Sequence, residues 1–388
     1  METVKLKELV DIYLGVTHTP EYVSDGIPFL SVKDISGGKI SFDNCKYISK
    51  KEFDSLSEGA KPKAGDMLFC RVGTLGKPII IPDGTPTFAS FVSLGYLRNK
   101  NDKRCNMNYL KYWMYSSSFW SQVYANVKGA SQINLNTGWL SKFTINLPDY
   151  QEQVFRISTM DKCREVIEKR RLELQTLDDL IKARFVEMFG TIHNNQNEYE
   201  IKSLQDVCEP IKDGTHQTPK YTDDRINGFK FLSSKDVTTA RINWDNIKYI
   251  PADLHEQLYA RIQPKKGDVL LAKNGTTGIA AIVDRDEIFD IYVSLALLKP
   301  LNINSVYLWA AINSQETKEQ FDASLKGIGV PNLHLGEIKK AKIIVPPIEL
   351  QNKFAEFVQE VDKSKVVVQK ALDEAQTLFD SLMQQYFG

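Results

Sequence analysis

The sequence predicts an α/β fold of the α+β kind, present in two tandem copies, with one long α-helix after each copy. The main evidence is an internal repeat: AGDMLFCRVGTLGK at 64–77 returns as KGDVLLAKNGTTGI at 266–279, and IPFLSVKDI at 27–35 returns as FKFLSSKDV at 229–237. Short apolar runs in both copies alternate with Gly, Pro, Asp and Asn, which is typical of strands and turns. Each copy ends in a charged stretch with heptad spacing, which is typical of a helix that packs against another helix.

This repeat divides the chain into four blocks. We predict α/β domains at residues 1–150 and 191–345, and helical segments at residues 151–190 and 346–388. The chain has 388 residues, which is longer than one ordinary domain. Hydrophobic residues make up 42% of it, which is enough for each half to bury a core of its own.

Apolar side chains recur every seven residues in both helical segments, with Lys365 as an interruption. The positions assigned to this seam are Met160, Ile167, Leu174 and Ile181 in the first segment and Val358, Leu372 and Phe379 in the second. Because each seam needs a partner, the simplest prediction is that the two helices pair as an antiparallel coiled coil on the order of 57 Å long. The alternative is that each helix folds back on its own domain.

The cysteine pattern and the apolar segments limit the class of protein. The five cysteines are scattered and never spaced as C-x-x-C, which indicates reduced thiols rather than disulfides or a zinc ribbon. No segment has the apolar length of a signal core or a membrane span. We therefore predict a cytoplasmic protein with no membrane association.

The charge balance argues against a free-standing DNA-binding protein, because the chain carries 49 basic and 49 acidic residues. The balance is uneven, however. Residues 1–150 hold 18 basic and 14 acidic side chains, whereas residues 191–345 hold 19 and 20. If the chain binds DNA, the phosphate charge must therefore be neutralised by local patches or by partner subunits.

The repeated segments at 64–77 and 266–279 predict a glycine-rich hairpin that follows a buried strand. Glycine lets such a hairpin approach another surface closely. We expect Arg71 and Lys273 to emerge as cations beside it, with hydroxyl groups from Thr74 and its counterparts at the tip. The alternative is a tight hairpin with a solvated cation.

A second repeated signal is KGASQIN at 128–134, matched by KGIGVPN at 326–332. The leading lysines suit phosphate contacts, and the amides of Gln132 and Asn134 suit the edge of adenine in a major groove. The copies agree at the lysine, the first glycine and the asparagine but differ between them, as expected for one scaffold with different recognition residues. The alternative is a turn that leads into the next strand.

Motifs that would indicate catalysis fail on inspection. GTLGKP at 73–78 lacks the span and the final Ser or Thr of a P-loop, and VPPIE at 345–349 lacks the flanking residues of an amino-methyltransferase motif. No Ser-His-Asp set or metal-spaced cluster of His and Cys stands out. The sequence therefore predicts a protein without a catalytic centre or a metal site.

Taken together, the doubled hairpin motif and the runs from QIN to LPDYQEQ and from PN to VPPIELQ resemble the specificity subunit of Type I restriction-modification systems over the whole chain. The resemblance implies two target recognition domains, each of which recognises one half of a bipartite, asymmetric site in double-stranded DNA. It also implies that the helices set the spacer and dock two methylation subunits, and that restriction subunits join the complex. S-adenosylmethionine, ATP and Mg²⁺ would then belong to those partners, with no cofactor in this chain, in a prokaryotic cytoplasm.

The resemblance also assigns DNA contacts to the two repeated motifs. In the first half these are Arg71, Thr74, Lys77, Lys128, Gln132 and Asn134, and in the second half Lys273, Asn274, Thr276, Thr277, Lys326 and Asn332. Val330 stands where the first copy has Gln132, so that contact has no counterpart in the second half.

Two other functions are kept as alternatives. One is a stand-alone DNA methyltransferase or endonuclease with duplicated target domains, which would have to bind its own cofactor. The other is a helical scaffold without DNA specificity, which would not bind duplex DNA selectively even with its partners.

Overall fold

The computed structural model describes residues 1–127, 133–325 and 331–388, which form two compact units. Unit 1 comprises Met1–Arg171 with Lys370–Gly388, and unit 2 comprises Leu172–Gln369. The long helices predicted after each half are present, but each unit takes part of both helices. The four predicted blocks are therefore segments of the sequence, and the compact units do not coincide with them.

The first half of the chain contains ten strands and six α-helices among its described residues. The strands are β1 (Glu2–Lys5), β2 (Val10–Leu14), β3 (Tyr22–Val23), β4 (Ile27–Leu30), β5 (Lys46–Ile48), β6 (Met67–Cys70), β7 (Gly76–Ile80), β8 (Ala89–Ser90), β9 (Leu94–Asn99) and β10 (Thr144–Leu147). The helices are α1 (Leu6–Leu9), α2 (Lys50–Ser55), α3 (Met107–Trp113), α4 (Ser117–Asn126), α5 (Thr137–Leu140) and α6 (Tyr150–Phe189), with 3-10 turns at Val32–Asp34 and Glu58–Ala60.

The second half repeats this order among its described residues. The strands are β11 (Glu200–Ser203), β12 (Lys212–Asp213), β13 (Phe229–Leu232), β14 (Lys248–Ile250), β15 (Val269–Ala272), β16 (Ala280–Ile282), β17 (Phe289–Ile291), β18 (Leu295–Leu298) and β19 (Lys342–Val345). The helices are α7 (Leu204–Val207), α8 (Ala252–Tyr259), α9 (Ser305–Ile312), α10 (Gln315–Ser324), α11 (Leu335–Lys340) and α12 (Ile348–Phe387), with a 3-10 turn at Ser234–Val237.

The sheets of the two units correspond strand for strand except for one edge strand, which confirms the tandem α/β repeat. Unit 1 has an antiparallel sheet in the order β2-β9-β6-β7, a mixed sheet β3-β5-β4-β8 and the pair β1-β10. Unit 2 has β12-β18-β15-β16, β14-β13-β17 and β11-β19, and β13 runs parallel to β17 as β4 does to β8. The mixed sheet of unit 2 lacks a strand equivalent to β3, whose place is taken by the single bridge Thr222–Tyr249.

The strand before each hairpin is buried on both faces. In β6, Met67 and Phe69 belong to one hydrophobic cluster, and Leu68 and Cys70 belong to another. The residues of β15 divide in the same alternating way. Side chains alternate across a strand, so an unbroken apolar run such as MLFC or VLLA requires cover on both sides. Each hairpin is therefore anchored in the centre of its unit.

A buried glutamine ties the start of each long helix to its domain. The Nε2 group of Gln153 donates to the Pro148 carbonyl at 2.8 Å, while its Oε1 accepts from the amide of Asn106 at 2.9 Å. Gln351 makes the same two bonds, each at 2.8 Å, with Pro346 and Asn304. The glutamines that end the repeated QEQ and ELQ sequences therefore anchor the helix starts to the domains rather than bind a ligand.

Both long helices contribute to the core of each unit. In unit 1 the ring of Phe387, near the end of α12, lies 4.9 Å from that of Tyr109. In unit 2 the ring of Phe189, near the end of α6, lies 4.9 Å from that of Tyr307. Of the predicted seam, Met160, Ile167, Ile181 and Val358 are buried, and Leu174, Leu372 and Phe379 are half-buried. The structure therefore places Met160 and Phe379 in the core of unit 1 and Ile181 and Val358 in the core of unit 2, and the continuous coiled coil stays a proposal.

Candidate nucleic-acid interface

The glycine-rich hairpin of unit 1 joins β6 to β7. Gly73 and Gly76 turn the chain with φ of 71° and 76°, values that favour glycine. A Cβ atom at Gly76 would come within 3.2 Å of Cζ2 of Trp120, so this glycine lets the hairpin lie against the indole ring. Thr74 and Lys77 are exposed. The tip therefore offers a hydroxyl and an ammonium group to solvent.

The hairpin of unit 2 joins β15 to β16 and has its glycines at the same two positions. Gly275 and Gly278 have φ of 75° and 80°, and a Cβ atom at Gly278 would come within 3.2 Å of Cδ2 of Phe321. Thr276 is exposed and Thr277 is half-buried. One scaffold therefore presents a different set of side chains in each unit.

Arg71 is buried, with 7% of its surface exposed, so the expectation of an exposed cation beside the hairpin is wrong. Its Nε donates to the Leu135 carbonyl at 2.9 Å, and one terminal nitrogen donates to the Val92 carbonyl at 2.7 Å. Burial lowers the pKa of Arg71. The strand before Arg71 is covered on both faces, and this cover extends over the next side chain. The guanidinium therefore joins the hairpin to two neighbouring segments.

Lys273 is likewise buried, with 6% of its surface exposed, and the same expectation is wrong for it. Its Nζ lies 2.7 Å from Oδ2 of Asp213 on β12. Nε2 of His216 lies 3.4 Å from the same carboxylate. The cation is thus neutralised within the unit, and a buried pair of this kind serves the geometry of a site better than its stability.

The structure brings the two repeated motifs together in both units. The amide of Leu135 donates to the Arg71 carbonyl at 3.0 Å, and the amide of Leu333 donates to the Lys273 carbonyl at 2.7 Å. Asn134 and Asn332, one residue earlier in each case, are exposed beside their hairpins. Lys128, Gln132 and Lys326 lie outside the described residues. Each unit therefore has a surface formed by a hairpin tip and an asparagine.

Asn274 lies against the backbone of the second repeated motif. It forms a β-bridge with Asn332, and the amide of Gly275 donates to the Pro331 carbonyl at 3.3 Å. Its Oδ1 is shielded from solvent and has no hydrogen-bond partner among the described residues. The amide group of Asn274 thus has unused hydrogen-bonding capacity next to the hairpin tip.

The family model for the Type I restriction modification DNA specificity domain matches residues 1–176 and 196–375. The chain belongs to this family. The prediction made from the doubled hairpin motif is thereby confirmed, and the chain carries two DNA specificity domains in tandem. Neither a stand-alone methyltransferase or endonuclease nor a helical scaffold is favoured by this match.

Specificity subunits are also found among curated relatives. The Type I restriction enzyme MjaVIII specificity subunit of Methanocaldococcus jannaschii is 27% identical over 188 residues, which cover 45% of this chain and 43% of that protein. In that alignment the chain therefore spans less than half the length of its relative. The Type I restriction enzyme EcoBI specificity subunit of Escherichia coli is 20% identical over 393 residues, which cover 94% of this chain and 80% of that protein.

The fold of the specificity domains also occurs in a solved structure of a type I R-M system, described for its complex assembly and conformational transition. One chain of that structure matches with a TM-score of 0.62 at 18% identity, and the match covers 100% of this chain and 97% of that one. At this identity the likeness concerns the fold.

The specificity domains share one matched feature whose lysines were not predicted from the sequence, a lysine over a tyrosine ring. Nζ of Lys46 lies 3.9 Å from the ring centre of Tyr22 in unit 1, and Nζ of Lys248 lies 4.1 Å from that of Tyr221 in unit 2. The signal was present as the repeated tripeptide KYI at 46–48 and 248–250. It went unnoticed because the tyrosine partner lies elsewhere in the chain.

The described residues of the specificity domains contain neither a metal-binding cluster nor a helix that could span a membrane. Within residues 1–127, 133–325 and 331–388, no group of three or more His, Cys, Asp or Glu side chains is placed to hold a metal ion. No helix in the described part of the chain has the length and apolarity needed to cross a bilayer. Burial raises the pKa of Cys70, next to the hairpin, to about 11, so its thiol stays protonated at neutral pH.

Proposed function

We propose that this chain is the DNA-recognition subunit of a Type I restriction-modification complex. Each specificity domain recognises one half of a bipartite, asymmetric site in double-stranded DNA. The observation that supports this proposal is the repeated surface of hairpin tip and asparagine, which keeps two glycines and the asparagine in both units and differs in other side chains. Such a pair of surfaces suits two different half-sites.

The proposed contact set keeps the predicted residues that are exposed or half-buried. The exposed ones are Thr74, Lys77 and Asn134 in unit 1 and Thr276 and Asn332 in unit 2, and the half-buried ones are Asn274 and Thr277. Hydroxyl and amide groups of this kind pair with base edges in the major groove, and a free ammonium group pairs with phosphate. Arg71 and Lys273 are omitted because they are buried and already paired.

The two long helices are proposed to pair as an antiparallel coiled coil that sets the distance between the half-sites. Contacts within each unit support this. In unit 1 the side chain of Arg156 donates to the Tyr386 carbonyl at 2.7 Å, and in unit 2 the side chains of Lys365 and Asp178 form an ion pair. In both cases a residue of α6 meets a residue of α12.

We assign the chemistry of the complex to partner subunits. Two methylation subunits would dock on the helices and bind S-adenosylmethionine, and restriction subunits would use ATP and Mg²⁺. The EcoBI and MjaVIII relatives are named as subunits of restriction enzymes, which supports assembly with such partners. This chain then supplies recognition without catalysis, in a prokaryotic cytoplasm.

A genome-wide map of methylated adenine in the host, with and without this gene, tests the proposal. We expect one motif with two specified halves and an unspecified spacer to disappear when the gene is deleted, and to return with the gene on a plasmid. If no motif changes, the purified chain and its co-purifying subunits are tested for binding to a library of random duplexes. Enrichment of no sequence there would refute a role in DNA recognition.

A further inference from the structure

Exposed lysine–tyrosine pairs occupy matching places in the two units. Lys46 and Tyr22 lie on the paired strands β5 and β3, and Lys248 lies on β14 beside the segment that contains Tyr221. Both lysines are exposed, and the two tyrosines are 39% and 41% exposed. We call each pair a lysine–tyrosine platform.

The lysines of the platforms differ from the other lysines that approach aromatic rings. Lys61 and Lys230 also lie over rings, but each is paired with a carboxylate, Glu58 or Glu287. Among the described residues, neither platform lysine has such a carboxylate partner. A tyrosine ring orders the methylene stem and the ammonium group without neutralising the charge, so all three N–H donors stay available.

An aromatic row joins each platform to the hairpin of its unit. In unit 1 the rings of Tyr22 and Phe29 are 5.9 Å apart, and those of Phe29 and Phe91 are 6.3 Å apart. The next residue, Val92, accepts the hydrogen bond from Arg71 at the base of the hairpin. The platform and the base of the hairpin are therefore connected through buried residues of the unit.

The same row exists in unit 2. The ring of Phe231 lies 6.1 Å from those of Tyr221 and Tyr292. Two residues after Tyr292, the Ser294 carbonyl accepts from the amide of Lys273 at the base of the hairpin. The row is thus a shared element, whereas the side chains at the hairpin tips differ.

We propose that the two lysine–tyrosine platforms bind backbone phosphates of the DNA duplex, one in each half-site. Phosphate contacts position a protein on DNA and carry no sequence information, so a domain with changing base specificity can keep them unchanged. Both platforms consist of a lysine and a tyrosine, whereas the side chains of the hairpin tips differ, as expected if the platforms hold the backbone and the tips recognise bases. The inference rests on the proposed DNA-recognition function and adds the residues that hold the backbone.

The salt dependence of DNA binding tests the platforms. The full chain with its co-purifying subunits is titrated against two duplexes, one with the methylation motif and one with both half-sites scrambled. Replacing Lys46→Ala or Lys248→Ala should weaken binding to both duplexes by the same factor. Each should also reduce the slope of log K against log salt by about one, and the double variant by about two.

Three controls make the test decisive. Lys5→Ala removes an exposed positive charge from β1 in unit 1 and should leave the slope unchanged. Lys46→Arg and Lys248→Arg keep the charge and should keep the slope. An unchanged slope in both alanine variants, or a loss no larger than that of Lys5→Ala, would overturn the inference. A loss confined to the motif duplex would also overturn it, because it would indicate base recognition. If the unaltered complex does not select any sequence, the proposed function itself fails.

Discussion

The base of the hairpin in unit 1 and its counterpart in unit 2 hold a buried cation in two different ways. Arg71 donates to two backbone carbonyls, whereas Lys273 pairs with the carboxylate of Asp213. The position of Asp213 is occupied by Leu14 in unit 1, since Leu14 pairs with Gly95 on β9 as Asp213 pairs with Ala296 on β18. Both units therefore bury a cation at the base of the hairpin, and we call this cation with its acceptors the joint. The acceptors are backbone carbonyls in unit 1 and a carboxylate in unit 2.

This difference arises from the chemistry of the two cations. A guanidinium has several N–H donors in a fixed planar arrangement, so Arg71 can bind carbonyls from two segments at once. An ammonium group is a compact charge, and burying it without a counter-ion is costly. The buried cation of unit 2 therefore needs a carboxylate as its partner, whereas that of unit 1 needs only backbone carbonyls. We therefore expect the two units to lose different amounts of stability when the buried cation loses its partner.

The largest effect is expected from Asp213→Ala, which leaves the Lys273 ammonium buried without its partner. Removing one member of a buried pair costs about 3–5 kcal/mol, a large part of the stability of a domain. Hydrogen exchange measured by mass spectrometry should show loss of protection of the β15 amides in unit 2. The β6 amides in unit 1 should keep their protection.

The control for this variant replaces both partners. Asp213→Leu with Lys273→Met removes the charges together and introduces the leucine found at the matching position of unit 1. We expect protection of β15 close to that of the unaltered chain, because apolar replacement of a buried ion pair is often neutral. A double variant as damaged as Asp213→Ala would show that the carboxylate has another role.

A smaller effect is expected from Arg71→Met, which removes the donors of two carbonyls but leaves no buried charge. Hydrogen bonds from a charged group contribute about 1.5–3 kcal/mol, so the protection of β6 should fall less than that of β15 in Asp213→Ala. Lys77→Ala is the matched control, since it removes an exposed cation from the same hairpin and should leave β6 unaffected. If Arg71→Met abolished DNA binding while β6 stayed protected, the buried arginine would be a DNA contact after all.

The contrast between the two joints also shows what the sequence could predict. The hairpins, the strands before them and the long helices follow from repeated glycines, apolar runs and heptads, which are local patterns. The burial of Arg71 and Lys273 does not, because a cation after a strand is usually solvated and its acceptors here lie 21 to 64 residues away. Backbone carbonyls carry no sequence signal at all. The one clue was the exchange of Leu14 for Asp213 between the halves.

The residues of the candidate recognition surface were singled out from the sequence, whereas the partners of the two buried cations were not. DNA contacts were assigned to both repeated motifs, and the structure places Asn134 and Asn332 beside the hairpins. The DNA contacts themselves stay a prediction. Both motifs could be singled out because they recur together in the two copies at nearly constant spacing. A repeated combination carries information about contact that one copy would not.

The smallest effect is expected from Asn134→Ala and Asn332→Ala. These variants test whether the exposed asparagines recognise bases, whereas the buried cations hold the hairpins. Each variant removes one exposed amide, so we expect a loss of base discrimination of about 1 kcal/mol, the low end for a single contact. Competition binding with duplexes altered in one half-site at a time provides the measurement. Asn134→Ala should relax the preference in one half-site and Asn332→Ala in the other, because the two asparagines lie in different units. Equal weakening on all duplexes would instead show that the asparagines hold the hairpins in position, which would leave base recognition to the tips.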